Sequence, residues 1–429
     1  MARTDRADRR LATDQGRQAR QSRLADPHRQ DLGLGNPSGG TDMKINIIGG
    51  GPSGLYFAYL ARKWLNAPDI TVYERNAPDA TFGFGVVLAG AGLARLQAAD
   101  AESYHRITGI SKTLGNQDII LNGSTARIEG AAYGGAVERL HLLAVLQDLC
   151  KEIGVTLYHN HDVTDPSRLD DADLVIGADG ANSSLRRQFE TEFGTGGGQL
   201  SNAFAWYGAK LTHDRPTLSF RNAGGGAFCA HYYPYTDQMC TFVMECDKAA
   251  WDGCGFASMT DDQRQAFVEN LYRDDLHGQP LISNKSEWRN FEPIWNDRWT
   301  AGHRVLIGDA VRRAHFSIGS GTRIAMEDSI ALARALKDAP DTASALDSYV
   351  KARKPAADVL IGAAKESYTW YESMGAHMAQ ARSAHDFAFD YLTRTSRVDA
   401  SRVAQDHPRF MAALRADGGV EPQTQETAG

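Results

Sequence analysis

An apolar run, Lys44-Ile45-Asn46-Ile47-Ile48, leads into Gly49-Gly50-Gly51-Pro52-Ser53-Gly54, and a second apolar stretch closes on Val72-Tyr73-Glu74-Arg75. The spacing is Gly-x-Gly-x-x-Gly between a strand and a helix, with an acid at the end of the next strand. Each position has a physical job. Gly49 permits a tight turn, Gly51 lets backbone N–H groups approach a diphosphate, and Gly54 lets the helix pack close to the strand. Pro52 and Ser53 open the helix, whose N-terminal N–H groups and dipole favour an anion. Glu74 lies twenty residues after Gly54, where a carboxylate can accept from a ribose hydroxyl. The reading is an α/β chain with a Rossmann-like, dinucleotide-binding sheet.

The expected order is strand 45–49, helix 52–65 and strand 70–74. A helix is expected over 137–152, with Leu140, Leu143, Leu146 and Cys150 on its apolar face, and a short strand over 154–159. Asp173–Ala178 reads as a buried parallel-type strand ending in Asp179-Gly180. Between about 200 and 300, aromatic and β-branched residues rise and alternate, as in Thr217–Phe220 and Cys240–Glu245, which predicts an antiparallel sheet. Arg304–Ala310 returns to a buried strand that runs into Gly308-Asp309. Helical patterns dominate from about 323, and Pro355 is expected to kink or interrupt one of them. The expected organisation is a nucleotide-binding domain over 43–112, 136–195 and 301–365. A β-rich substrate domain occupies 113–135 and 196–300, and a helical region and tail occupy 366–429.

Residues 1–42 hold many Arg and Asp and no aromatic residue, and are expected to be a disordered extension, with Met43 as a possible functional start. Arg9-Arg10 lacks a following apolar stretch, so no twin-Arg export signal is expected. The formal net charge of -7 argues against nucleic acid as the main partner. No apolar run approaches the roughly 20 residues a bilayer crossing needs, so no membrane partner is expected. Cys150, Cys229, Cys240, Cys246 and Cys254 form no Cys-x-x-Cys pair, which reads as reduced thiols of a cytoplasmic protein and as no metal site. A catalytic thiol stays open as the lesser alternative.

Three glycine–acid elements stand on three separate strands: Gly49–Gly54 with Glu74, Asp179-Gly180, and Gly308-Asp309. As a set they resemble the class A, p-hydroxybenzoate hydroxylase-like flavoprotein aromatic hydroxylases. Phe82-Gly83-Phe84-Gly85-Val86-Val87 and Ala314-His315-Phe316-Ser317-Ile318-Gly319-Ser320-Gly321-Thr322-Arg323 resemble one branch of that family. The branch includes the salicylyl-CoA 5-hydroxylases, the 2-aminobenzoyl-CoA monooxygenases and the violacein-pathway hydroxylases. The likeness continues through Trp288-Arg289-Asn290-Phe291 and Tyr391-Leu392-Thr393-Arg394.

The resemblance implies FAD, reduced by NADH or NADPH, with O₂ as co-substrate. It implies transfer of oxygen from a flavin C4a-hydroperoxide to an electron-rich ring, either an aryl thioester on CoA or a carrier, or a free acid or indole. Carried over by position, Gly49, Gly51 and Gly54 bind the diphosphate, Glu74 the ribose, and Arg75 lies beside the adenine. Arg139 reaches the FAD, Asp179 touches FAD and the nicotinamide donor, and Gly308-Asp309 holds the ribityl chain. Gly319-Ser320-Gly321-Thr322 would aim N–H groups at the flavin pyrimidine edge, stabilising charge on the reduced ring.

His315 and Phe316 stand where most of the family has two prolines. His315 is the first candidate for handling the substrate proton, and His231 the second. Phe84, Trp206 and Tyr232 are candidates for a substrate pocket. Val311-Arg312-Arg313 departs from the branch, and the two guanidinium groups are expected either at a substrate phosphate or carboxylate or in a salt-bridged surface pair.

Two other readings remain at this point. A flavin halogenase would carry Trp-x-Trp-x-Ile-Pro, and Ile294–Trp299 does not match it. A non-catalytic flavoprotein stays open because fold alone does not fix function. Oligomeric state is not read.

Overall fold

A computed structural model describes residues 43–80, 83–88, 90–130, 134–319 and 321–418. The expectation for 1–42 therefore lies outside the described residues, as do Phe82 and Ser320.

The first strand, Lys44–Ile48, sits at the centre of a six-stranded sheet. On one side it pairs in parallel with Asp69–Tyr73, which pairs with Thr156–Tyr158. On the other it pairs with Leu174–Gly177, which pairs with Arg304–Leu306. A short antiparallel strand, Thr300–Ala301, closes that edge. Ile45, Ile47, Val175, Ile176, Val305 and Leu306 are fully buried, as a parallel sheet covered on both faces requires. Helices Pro52–Trp64, Arg139–Glu152 and Gly321–Asp338 supply apolar residues to the same core, with Phe57, Leu60, Leu146 and Met326 at zero exposure. No helix among the described residues is long and apolar enough to cross a membrane.

The second large sheet has the order Leu281–Ser283, Ala203–Lys210, Met239–Cys246, Gly226–Pro234, Thr217–Ala223, Gln117–Leu121, Ser124–Ile128, and Arg289–Asn290 also pairs with Ala203–Lys210. It is antiparallel except where Thr217–Ala223 meets Gln117–Leu121. Register decides what each face does, because side chains alternate. Trp206 pairs with Val243 and Val243 with His231, so these three share a face. Tyr207, Phe242 and Tyr232 share the other, where they pack on a core with Phe256 and Tyr272. Toward its Thr217 edge, the first face meets the C-terminal helices. Phe220 lies 4.7 Å from Phe387, 5.9 Å from Trp370 and 6.3 Å from Tyr371 between ring centroids. Burial of each such ring contributes about 1.5–3 kcal/mol.

Two expectations change. Residues 137 and 138 belong to a strand, Gly134–Glu138, because Val137 pairs with Val86 and Glu138 with Gly85; the helix starts at Arg139. Pro355 does not interrupt a helix. Thr342–Glu372 runs through it for 31 residues. A proline forfeits one N–H bond and crowds one carbonyl. Buried Ala357, Leu360, Ala363, Ala364 and Trp370 hold the continuing turns against the rest of the molecule.

Candidate cofactor and substrate site

The glycine turn forms as its residue types dictate. Gly49 has φ +107, and a Cβ there would lie 2.4 Å from the Ala178 carbonyl oxygen. A Cβ on Gly54 would lie 2.0 Å from the Gly49 oxygen, so helix and turn fit only without it. Gly51 caps the helix that Pro52 begins. Glu74 braces the turn: its Oε2 accepts from the Gly50 N–H at 2.8 Å, while Oε1 accepts from the Asn76 backbone N–H at 2.8 Å and side-chain amide at 2.7 Å.

The other two acids approach the same place. Asp179 Oδ2 accepts from the Ser184 N–H at 2.6 Å and its hydroxyl at 3.0 Å, whereas Oδ1 is buried without a partner. Burial pushes this carboxyl up. Gly308, at φ +63, packs against Ser53, and its N–H donates to Asp328 at 3.1 Å. Burial pushes the Asp309 carboxyl up against the pull of Arg313, Arg139 and Arg312, and pushes the Arg139 guanidinium down against the pull of Asp309 and Tyr233.

Gly49, Gly51, Pro52, Ser53, Glu74, Arg75, Arg139, Asp179, Asp309, Gly319, Gly321 and Thr322 border one cavity of about 1530 Å3. Gly54 and Gly308 sit behind its wall. Typical small-ligand pockets hold about 300–1,000 Å3, so this one has room for a dinucleotide and a second molecule. The open space beside Gly51, where a Cβ would meet nothing nearer than 4.0 Å, and the orphaned Asp179 oxygen both fit a bound FAD.

The cavity continues into an aromatic chamber. Phe316 lies 5.0 Å from Phe204, 5.9 Å from Trp206, 6.0 Å from Phe291 and 5.4 Å from His231 between ring centroids. The Trp206 Nε1–H is buried with no partner, a donor left for a ligand. His231 and His315 both border the chamber.

His315 is 3 % exposed, and burial pushes it down to about 4, with Glu245 pulling the other way. Its Nδ1 accepts from the Ser317 N–H at 3.3 Å and lies 2.8 Å from the Ser317 hydroxyl. That hydroxyl is 2.8 Å from the Ser367 hydroxyl, which accepts from Arg394 Nε at 3.0 Å. Across the chamber, His231 Nε2 lies 3.3 Å from Glu245 Oε2, and Asn202 donates to Glu245 Oε1 at 2.9 Å. Glu245 is 1 % exposed. Burial pushes its carboxyl up, but the His231 hydrogen bond and the His315 and His231 charges outweigh this and hold it below the usual range.

Two substrate candidates fall outside the cavity, and a third borders it with its ring turned to the other sheet face. Arg312 is neither at a ligand nor on the surface. It is 5 % exposed, its two terminal nitrogens donate to Asp328 at 2.8 and 2.9 Å, and its guanidinium lies 5.0 Å from the centre of the Trp299 ring. Its neighbour Arg313 does border the cavity, 4.4 Å from the centre of Phe291. Phe84 packs over Gly208, where a Cβ would lie 2.5 Å from its ring, and is not in the cavity wall. Tyr232 borders the cavity, but its ring stacks on Phe242 at 5.0 Å and its hydroxyl donates to Asp275, on the opposite sheet face from His231.

Sequence reasoning missed Glu245, Asn202, Phe204, Ser367 and the role of Arg394. One signal was available for Glu245: a carboxylate between Met244 and Cys246 in an apolar strand needs a buried partner.

A family model described as an FAD binding domain matches residues 129–364. The chain is similar to a salicyloyl-CoA 5-hydroxylase of Streptomyces sp, 36% identical over 362 residues, which cover 82% of this chain and 70% of that protein. It is 35% identical over 329 residues to the 3-hydroxy-4-methyl-anthranilyl-[aryl-carrier protein] 5-monooxygenase of Streptosporangium sibiricum, covering 77% of this chain and 89% of the other. Its fold is similar to that of 2-methyl-3-hydroxypyridine-5-carboxylic acid oxygenase, with a TM-score of 0.67 at 18% identity over 83% of this chain and 98% of that one.

Proposed function

Because the chain belongs to the family of that FAD binding domain and is an FAD-dependent aromatic monooxygenase, we propose that its substrate is an aryl thioester, a salicylyl- or 2-aminobenzoyl-type ring on coenzyme A or a carrier protein. The cavity beyond the cofactor turn carries this reading. Besides the aromatic chamber it is bordered by Pro216, Thr217 and Leu218 and by Arg397, Arg402 and His407. That extension suits the long arm of a thioester better than a free acid. NADH or NADPH serves as reductant, and the free thiols suit a cytoplasmic protein.

The residues divide the work. The N–H groups at Gly51–Gly54 would hold the diphosphate, Glu74 the adenosine ribose, and Asp309 the ribityl chain. Bound FAD would supply the activation of O₂, one atom of which reaches the ring while the other leaves as water. Phe204, Trp206, Phe291 and Phe316 exclude water and fix the ring plane. Arg313, beside Phe291, offers a charge to a carbonyl or phosphate of the substrate.

The test is NAD(P)H oxidation by the FAD-loaded protein, with product mass read in the same tube. Salicylyl-CoA and 2-aminobenzoyl-CoA are compared with their free acids and with tryptophan. Thioester-dependent oxidation with a gain of one oxygen is expected. Turnover of a free acid or indole alone would reject the thioester.

A further inference from the structure

The reaction needs a group that takes a proton from the ring substituent, because an ionised oxygen makes the ring a better nucleophile. Two histidines face the chamber, and hydrogen-bond direction separates them. Arg394 has no acceptor, so its Nε–H must donate to the Ser367 oxygen. Because the Ser317 backbone N–H can only donate, His315 Nδ1 must accept, so the Ser317 hydroxyl also donates to Nδ1 and accepts in turn from Ser367. Every donor in this chain points at Nδ1, so the ring proton sits on Nε2. His315 presents an N–H to the chamber and is set up to donate, not to accept.

His231 has the opposite arrangement. Its Nε2 faces a carboxylate that can only accept, so Nε2 carries the proton and Nδ1 keeps the lone pair. Among the described residues Nδ1 makes no hydrogen bond, and the ring borders the cavity. The ring is stacked on Tyr371 at 5.2 Å and edged by Phe316 at 5.4 Å, which fixes its orientation. Glu245 is held in turn by Asn202, so the pair cannot rotate apart without losing buried hydrogen bonds.

We propose that His231, held in this tautomer by Glu245, is the base that takes the proton from the ring hydroxyl, while His315 donates to the substrate. The proposal rests on the aryl-thioester reading. The O–H proton moves to His231 Nδ1, the electron pair stays on the ring oxygen, and the imidazolium formed is stabilised by the Glu245 anion. This is the logic by which a buried carboxylate fixes the tautomer of a histidine base and stabilises its charged form. His231 is the catalytic residue and Glu245 the positioning residue.

The other titratable groups around the pair are Cys229 on the neighbouring strand position, Tyr371 on the long helix and His315 across the chamber. Burial pushes Cys229 and Tyr371 well up, so both stay neutral near pH 7. Arg394 and Arg313 are fixed positive charges on the His315 side.

The experiment reads ionisation without turnover. Salicyloyl-CoA is bound to the oxidised, FAD-loaded protein with no reductant, and phenolate absorbance is followed against pH. In Glu245→Gln, which keeps the shape and removes the charge, the midpoint should rise by about one unit or more with binding retained. His231→Asn should lose the protein-assisted ionisation altogether, and it reads the same point if Glu245→Gln fails to fold. A midpoint unchanged in either folded variant overturns the proposal and leaves the aryl-thioester reading standing. Failure of the unaltered protein to bind salicyloyl-CoA overturns both.

Discussion

Removing the Asp328 carboxylate should cost the fold about 3–5 kcal/mol, the range for stranding a charge from a buried pair. Asp328 is fully buried. Its two oxygens accept from Arg312 at 2.8 and 2.9 Å, from Arg353 at 3.0 Å and from the Gly308 N–H at 3.1 Å. In Asp328→Ala, Arg353 keeps Glu327 at 3.3 Å, but Arg312 loses both its hydrogen bonds, and its Nε already has none. Arg312→Met is milder. It leaves Asp328 with Arg353 and Gly308, so the cost falls to about 1–3 kcal/mol, the size of a lost charged hydrogen bond. The double variant should then cost less than the sum, because it no longer strands Arg312. Denaturant titration of the FAD-loaded proteins measures all three. The Gly308 N–H is one of the severed bonds, so FAD affinity should fall with stability in Asp328→Ala. A cost below about 1 kcal/mol, or strict additivity in the double variant, would refute the claim that this pair is a structural knot beneath the cofactor.

Two more predictions follow from particular distances and burials. Gly54→Ala places a Cβ 2.0 Å from the Gly49 oxygen, and relief by backbone movement costs about 1–3 kcal/mol; if that falls on the bound state, FAD binds about ten- to a hundredfold more weakly, read by flavin titration, and unchanged affinity would contradict the close fit of turn and helix. His315 is held at about 4 against an ordinary 6.5, so between those values the unfolded chain binds a proton that the folded one does not. Its contribution is present above about pH 6.5 and is lost as pH falls, by about 3 kcal/mol near pH 4. His315→Gln should flatten that part of the stability–pH curve; a curve of the same slope would mean that the buried ring is not neutral.

The cofactor side of the site is legible in the sequence because each residue there answers a local constraint. Gly49 and Gly54 are required by backbone geometry within a few residues, and Glu74 reaches a turn 24 positions earlier along one strand–helix–strand unit. The substrate side is not legible in the same way. Glu245 meets Asn202 and His231 across separations of 43 and 14 residues, and Arg394 meets Ser317 across 77. Which face of a strand looks into the chamber depends on register, so Tyr232 and His231 are equivalent candidates in sequence and opposite ones in space. Arg312 and Arg313 show the same limit, since adjacent positions leaving one turn went to a buried ion pair and to the cavity wall. Pro355 shows that a residue poor for a helix can lie within one when tertiary packing supplies what the lost bond removes.

The position of Arg304–Leu306 in the first sheet has a consequence for the order of assembly. That strand pairs with Leu174–Gly177, yet the 126 residues 178–303, which carry most of the second sheet, are made between them. While the chain emerges from the ribosome, the outer edge of Leu174–Gly177 stays unpaired, in a segment of unbroken apolar residues. Such an edge invites pairing with another chain. Asp309, the last of the acids bordering the proposed cofactor cavity, arrives only with the strand that seals this edge. Flavin capture and edge protection therefore coincide late in synthesis, and the yield of native protein should depend on how crowded nascent chains are before that moment.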